Sequence, residues 1–219
     1  MRGIRFADRR QAGRVLAQHL LRHRDDPSLI VLALPRGGVP VAFEVAQALH
    51  APLDVFVVRK LGLPGHEEYA MGAIATGDVR VMNQDIANAG ISQAAIDAVA
   101  ARERIELARR ERLYRGERPP IAIEDHTVIL VDDGLATGST MLAAATAVRR
   151  QRPRTIVVAV PVAAAETCRA LREVVDEVTC PATPEPFVAV GAWYEDFRQV
   201  SDDEVHALLA AAWRPQPPP

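Results

Sequence analysis

Between Val128 and Thr140 the chain reads Val-Ile-Leu-Val-Asp-Asp-Gly-Leu-Ala-Thr-Gly-Ser-Thr, and a helical pattern follows from Met141 to Arg150. An apolar strand thus ends in two adjacent acids, Asp132 and Asp133, and passes through a loop of small residues into a helix. Backbone N–H groups of Ala136, Thr137, Gly138, Ser139 and Thr140 at such a helix start can surround a phosphate. The three hydroxyls add donors, and Gly138 permits close approach. At least one of the two carboxylates can accept hydrogen bonds from a ribose diol or help to hold a hydrated cation. A phosphate beside a diol describes a ribose 5-phosphate. The rival phosphate motifs are absent: the sequence has no GxxxxGK[ST] and no GxGxxG after a strand.

Three further groups of residues could serve an anion or a planar ligand. Leu34-Pro35-Arg36-Gly37-Gly38-Val39-Pro40 follows an apolar run; its glycines let backbone amides approach an anion and Arg36 can neutralise one. By itself such a turn more often only connects elements. Arg59 and Lys60 close a second apolar run. The chain has 25 arginines and a single lysine, Lys60, so this position either needs a compact point charge or has kept its lysine by chance. Phe187 and Trp193 can stack on a planar base, or they can pack a small lobe.

The elements that must position these residues alternate in type. Asp8 can cap a helix whose apolar face carries Ala12, Val15, Leu16 and Leu20. A strand over 29–34, a helix over 39–49 and a second strand over 53–58 make a βαβ unit, and strands return over 128–131, over 156–160 and near Val178. Nearly continuous apolar strands between helices predict a doubly wound, mainly parallel α/β sheet covered on both faces. The core falls at about 29–60 and 127–180 in one domain over 1–219. From Gly62 to Asp125 the pattern is interrupted by an insertion, with short strands over 70–75 and 79–82 and a long helix opening at Ser92. The mixed charges of that helix to about Tyr114 predict a solvated face; the alternatives are an arm over the site or a contact in a homodimer.

With a formal charge of −2 and pI near 6.3, the chain offers no global field for nucleic acid or an anionic membrane. It has no apolar run of membrane-spanning length, and its first residues lack the apolar region of a secretion signal, so the expected location is the cytoplasm. Cys168 and Cys180 have no metal-binding spacing and read as reduced structural thiols. The tail Pro215 to Pro219 is expected to be disordered or extended.

The segment from Val128 to Thr140 resembles the signature of type I phosphoribosyltransferases for 5-phosphoribosyl diphosphate (PRPP), in which a strand, two acids and a loop ending Thr-Gly-x-Thr come in this order. The resemblance covers about 29–60 and 127–200. It implies that the loop over 136–140 holds the 5′-phosphate and that Asp132 and Asp133 hold the ribose hydroxyls. It places a pyrophosphate-binding turn at Arg36, Gly37 and Gly38, basic support at Arg59 and Lys60, and a mobile lid over 61–69. The activity implied is Mg2+-dependent transfer of a phosphoribosyl group to a nitrogen acceptor, with Asp132, Asp133, Lys60 and Arg36 in the catalytic machinery. Residues 187–198 resemble the acceptor-binding hood, about 181–200, of the 6-oxopurine enzymes; this implies base contacts at Phe187 and Trp193 and metal support from Glu195 beside Asp132 and Asp133. The sequence departs from that subgroup at Ala136, where an aspartate is usual, and at Ser139, where a lysine is common. Gly134 replaces an aliphatic residue, a change expected only to loosen the loop. The acceptor is therefore expected to be a nucleobase that the sequence does not name, with an amine as an alternative. A PRPP-binding regulatory protein is the rival outside catalysis.

Overall fold

The computed structural model describes residues 5–83 and 91–213. The first four residues and the proline-rich tail, on which two of the expectations above rest, lie outside them. Five strands form the central sheet: β1 (Leu29–Ala33), β2 (Leu53–Val55), β6 (Thr127–Val131), β7 (Thr155–Ala159) and β8 (Glu177–Thr179). They lie in the order β2-β1-β6-β7-β8, and every pairing is parallel. β1 and β6 are neighbours in register from Leu29↔Thr127 to Ala33↔Val131, which brings the turn after β1 beside the acid pair after β6.

The sheet is sandwiched because its central strands are apolar on both faces. Leu29, Val31, Ala33, Ile129 and Val131 face α1 (Arg9–Gln18), α2 (Gly38–Leu49) and α6 (Asp202–Ala212). Their neighbours Ile30, Leu32, Val128 and Leu130 face α4 (Ser139–Arg149) and α5 (Ala165–Arg172). The alternation follows from the two-residue period of a strand, and each face then needs a helical layer to exclude water. At the N-terminus of α1, Asp8 accepts from the Gln11 N–H, as a capping side chain should.

The insertion begins earlier than the sequence pattern predicts. β2 ends at Val55, the Phe56 N–H still donates to Ala33 of the main sheet, and Val57 then bonds to Thr76. β3 (Val58–Leu63), β4 (His66–Ala75) and β5 (Val79–Met82) make a separate antiparallel sheet. Arg59 and Lys60 therefore stand inside a strand of the second sheet, and the expected lid segment over 61–69 is its β3–β4 hairpin, turning at Gly65 with φ +82°. An apolar run cannot by itself show where a chain leaves one sheet for another.

The long helix α3 (Gln93–Arg115), capped by Ser92, lies against β3 and β4 and reaches α6. Its charges are only partly a solvated face. Glu106 holds Arg109 and Arg110 on the surface, and this pairing pulls its carboxyl down to about 2. Glu103 is buried, however, and Arg115 turns inward onto Asp54. The hood contains a short 3-10 turn, Val190–Trp193, and the strand-like Phe6 pairs with Tyr194 beside it. The N-terminal segment is thus part of the small lobe, through bonds such as Phe6 N–H to the Trp193 carbonyl, 2.8 Å, and Asp196 N–H to the Ala7 carbonyl, 2.9 Å. Both cysteines are free thiols, with Cys168 in the core. No helix among the described residues is long and apolar enough to cross a membrane.

Candidate functional site

The loop after β6 forms a cavity of about 150 Å3, lined by Asp132 and by residues 134–141 at the N-terminus of α4. Gly138 caps that helix with φ +69°, a conformation that side chains rarely adopt, and the Thr167 methyl lies where its Cβ would sit. From α5 below, the Thr167 hydroxyl donates to the Ala136 carbonyl at 2.5 Å and fixes the loop. Ala136, Thr137, Ser139 and Thr140 remain exposed, so the helix start and its hydroxyl-bearing residues are open to solvent, an arrangement that can receive an anion. Lys60 crosses from β3 and donates from Nζ to the Ser139 hydroxyl at 2.9 Å. The single lysine thus meets the loop after β6, although 79 residues separate the two partners in sequence.

At the other edge, the turn after β1 presses on the acids. A Cβ on Gly37 would lie 2.1 Å from Asp133 Oδ2, and one on Gly38 would lie 2.6 Å from the Val131 carbonyl. Only glycine allows this approach. Asp132 accepts from the Asp133 N–H at 2.8 Å. Burial and, after it, the Asp133 charge hold the Asp132 carboxyl well above its ordinary value. Burial raises Asp133 too, opposed by Arg9, whose Nε stands 2.7 Å from Asp133 Oδ2.

Not every expected residue joins this cluster. Arg36 Nη1 is 3.8 Å from Asp202 on α6, and Arg59 is held by Glu103 of α3 at 2.7 and 3.0 Å. Consecutive strand residues point to opposite faces, so Lys60 and Arg59 could not both reach the loop. Phe187 and Trp193 pack, partly buried, with Phe6, Val162 and Tyr194 in the small lobe. Glu195 is exposed, and no group of three potential metal-ligating side chains exists among the described residues, so it is not brought to the acids as the expected metal set requires. Two acids with part of their oxygens engaged suit Mg2+ only as it is held in many phosphate sites, by one or two carboxylates together with ligand oxygens and water.

Two contributors were invisible to motif reasoning. Arg9 comes from α1, and Tyr194 donates its hydroxyl to the Asp133 carbonyl at 2.5 Å. The Tyr194 phenol is pushed far up by burial and by Asp133, so it remains a donor. Gly134 also has a steric reason to be glycine, rather than the expected loosening. Its Cβ would lie 2.5 Å from Val190 Cγ1 and 3.0 Å from the Val162 carbonyl, so the hood valine already fills the space. Gly134→Val is expected to cost about 1–3 kcal/mol in denaturant unfolding, and Val190→Ala in the same chain to recover part of the loss.

Comparison with known proteins agrees with this geometry. A family model described as phosphoribosyl transferase domain matches residues 7–195. Proteins of Mycobacterium tuberculosis strains H37Rv and CDC 1551, whose names give them provisionally as phosphoribosyl transferases, are each 47% identical over 210 residues. The match takes in 95% of this chain, which spans 47% of their length. The crystal structure of the protein TT1426 from Thermus thermophilus superposes with a TM-score of 0.85 at 44% identity, over 94% of this chain and 98% of that one. With the family model matched over residues 7–195, across the whole parallel sheet and the loop after β6, the chain belongs to the phosphoribosyl transferase family.

Proposed function

We propose that the chain transfers the 5-phosphoribosyl group of PRPP to a nitrogen acceptor, with release of diphosphate. The observation that carries this reading is the contact between two loops: the Gly37-Gly38 turn meets Asp132 and Asp133 beside the cavity over 134–141. A ligand with a phosphate at one end, a diol in the middle and a diphosphate at C1 suits that sequence of surfaces. The loop amides and the Thr137 and Thr140 hydroxyls would hold the 5′-phosphate, with Lys60 adding charge through its place beside Ser139. The acids would take the ribose hydroxyls. The Gly37 N–H of the turn would receive the diphosphate as the C1–O bond breaks and the nitrogen–C1 bond forms, while the Gly38 N–H holds the turn by donating to the Leu34 carbonyl. Mg2+, where it accompanies PRPP, would neutralise charge on the leaving diphosphate.

A nucleobase is the proposed acceptor and the hood its place, and we read the enzyme as a single cytoplasmic unit that needs neither nucleic acid nor membrane. Assembly as a homodimer fits the same reading. A second reading, a PRPP sensor without transfer, draws support from one observation: Arg36 and Arg59 are both paired with carboxylates.

The deciding assay follows PRPP- and Mg2+-dependent diphosphate release across purines, pyrimidines and simple amines. Release that requires one acceptor is expected. Lys60→Ala should raise the KM for PRPP about tenfold and change kcat less, because its contact is made before and during transfer alike. PRPP binding without release for any acceptor would favour the sensor, and absence of PRPP binding would overturn both readings.

A further inference from the structure

Arg9 belongs to none of the phosphate-binding segments, yet it contacts the acid pair directly. It is the first residue of α1, and its side chain is 11% exposed. Nε stands 2.7 Å from Asp133 Oδ2, and Nη1 donates to the Arg198 carbonyl at 2.8 Å. The guanidinium carbon lies 4.0 Å from the Phe197 ring centroid and 5.9 Å from that of Tyr194. One planar cation therefore spans an acid of the ribose site, a backbone carbonyl of the hood and the hood's aromatic rings. A lysine could supply the charge but not donors on two separate nitrogens at once.

The effect falls on one oxygen. Asp133 Oδ2 carries the arginine, and Gly37 closes on the same atom, since a Cβ there would be 2.1 Å from Oδ2 and 3.3 Å from Oδ1. Tyr194 holds the carbonyl of the same residue. Among the described residues no side chain donates to Oδ1, the other oxygen of that carboxylate. Arg10, the next residue on α1, shows what a scaffold pairing looks like here: it is half exposed and bonds to Glu44 of α2, away from the loops.

We propose that Arg9 is a positioning residue, anchored on the hood, that turns the Asp133 carboxylate so that Oδ1 meets a ribose hydroxyl of PRPP. The inference rests on the phosphoribosyl reading. It makes Arg9 a determinant of PRPP affinity that acts through Asp133, with the hood as its support.

The test is calorimetric titration of PRPP with Mg2+ into the wild type, Arg9→Gln, Arg9→Lys and Arg10→Gln. Arg9→Gln should weaken Kd about tenfold at unchanged stoichiometry, and Arg9→Lys at least about threefold, while Arg10→Gln keeps the wild-type value. A role in folding alone would lower the stoichiometry and leave Kd unchanged, and that result would overturn the proposal. So would a Kd for Arg9→Gln within about twofold of wild type, or a wild-type Kd for Arg9→Lys, since charge alone would then suffice. Should Arg9→Gln not fold, Arg9→Lys carries the decision. Wild-type protein that binds no PRPP would overturn the phosphoribosyl reading and this inference with it, whereas binding that is insensitive to Arg9 would sink only the inference.

Discussion

Asp132→Asn is expected to make the protein more stable and nearly unable to bind PRPP. The carboxylate of Asp132 is crowded by protein and by Asp133, and both influences disfavour its charge. Asparagine keeps an oxygen that can accept the Asp133 N–H and sheds the repulsion. The gain should be on the order of 1 kcal/mol in denaturant unfolding, measured without ligand at neutral pH, where the wild-type acid pays its desolvation. The loss is larger: a ribose hydroxyl would exchange a charged acceptor for a neutral one and meet an amide donor at the other position. PRPP affinity should fall about 100-fold. Opposite signs in the two measurements would mark Asp132 as a residue kept for binding at the expense of the fold. Reduced stability in the asparagine variant would instead make the acid a structural group.

The second large effect lies in a buried ion pair of the scaffold. Arg115→Met should cost about 3–5 kcal/mol, because it leaves Asp54 buried without its counter-ion. Both side chains of this pair are 3% exposed. Arg115 Nε stands 2.8 and 3.0 Å from the two carboxylate oxygens, and its Nη2 donates to the Val55 carbonyl at 2.7 Å. Asp54 also accepts from the Val55 and Ile121 N–H groups. The pair fastens the C-terminal end of α3 to the edge strand β2, just before the chain crosses into the second sheet. A domain of this kind has about 5–15 kcal/mol in total, so the single variant should be marginal at 37 °C. Adding Asp54→Asn should recover a substantial part, since the penalty comes from the uncompensated charge; thermal melts of the two single variants and the double variant would show the coupling. Additive losses would locate the cost in packing instead.

Local pattern determined the parallel core, the helix starts at Asp8 and Ser92, and the small-residue loop that opens α4. Each depends on neighbours within a few residues: an apolar strand, a capping oxygen, a glycine at a helix start. The closeness of the Pro-Arg-Gly-Gly turn to Asp132 and Asp133 was legible only through family resemblance, because it requires β1 and β6 to be adjacent although about a hundred residues separate them. Pairing across such distances set the rest. Arg59 and Arg36 looked as available to an anion as Lys60, and their carboxylate partners came from α3 and α6, elements with no local relation to them. Gly134 looked like a loosened loop until Val190 was seen to fill its space.

What the sequence by itself determined was therefore a local arrangement: two acids at a strand end and a loop of small and hydroxyl-bearing residues opening a helix, on strands that must be covered on both faces. Only the tertiary structure decided which side chains meet that loop, placing Lys60 beside Ser139, pairing Arg36 and Arg59 with carboxylates of α6 and α3, and bringing Arg9 and Tyr194 to Asp133 from opposite ends of the chain. The physical reason is range. Backbone conformation and burial pattern are set by residues close in sequence, whereas an ion pair is set by whichever side chain the packed elements bring within about 4 Å.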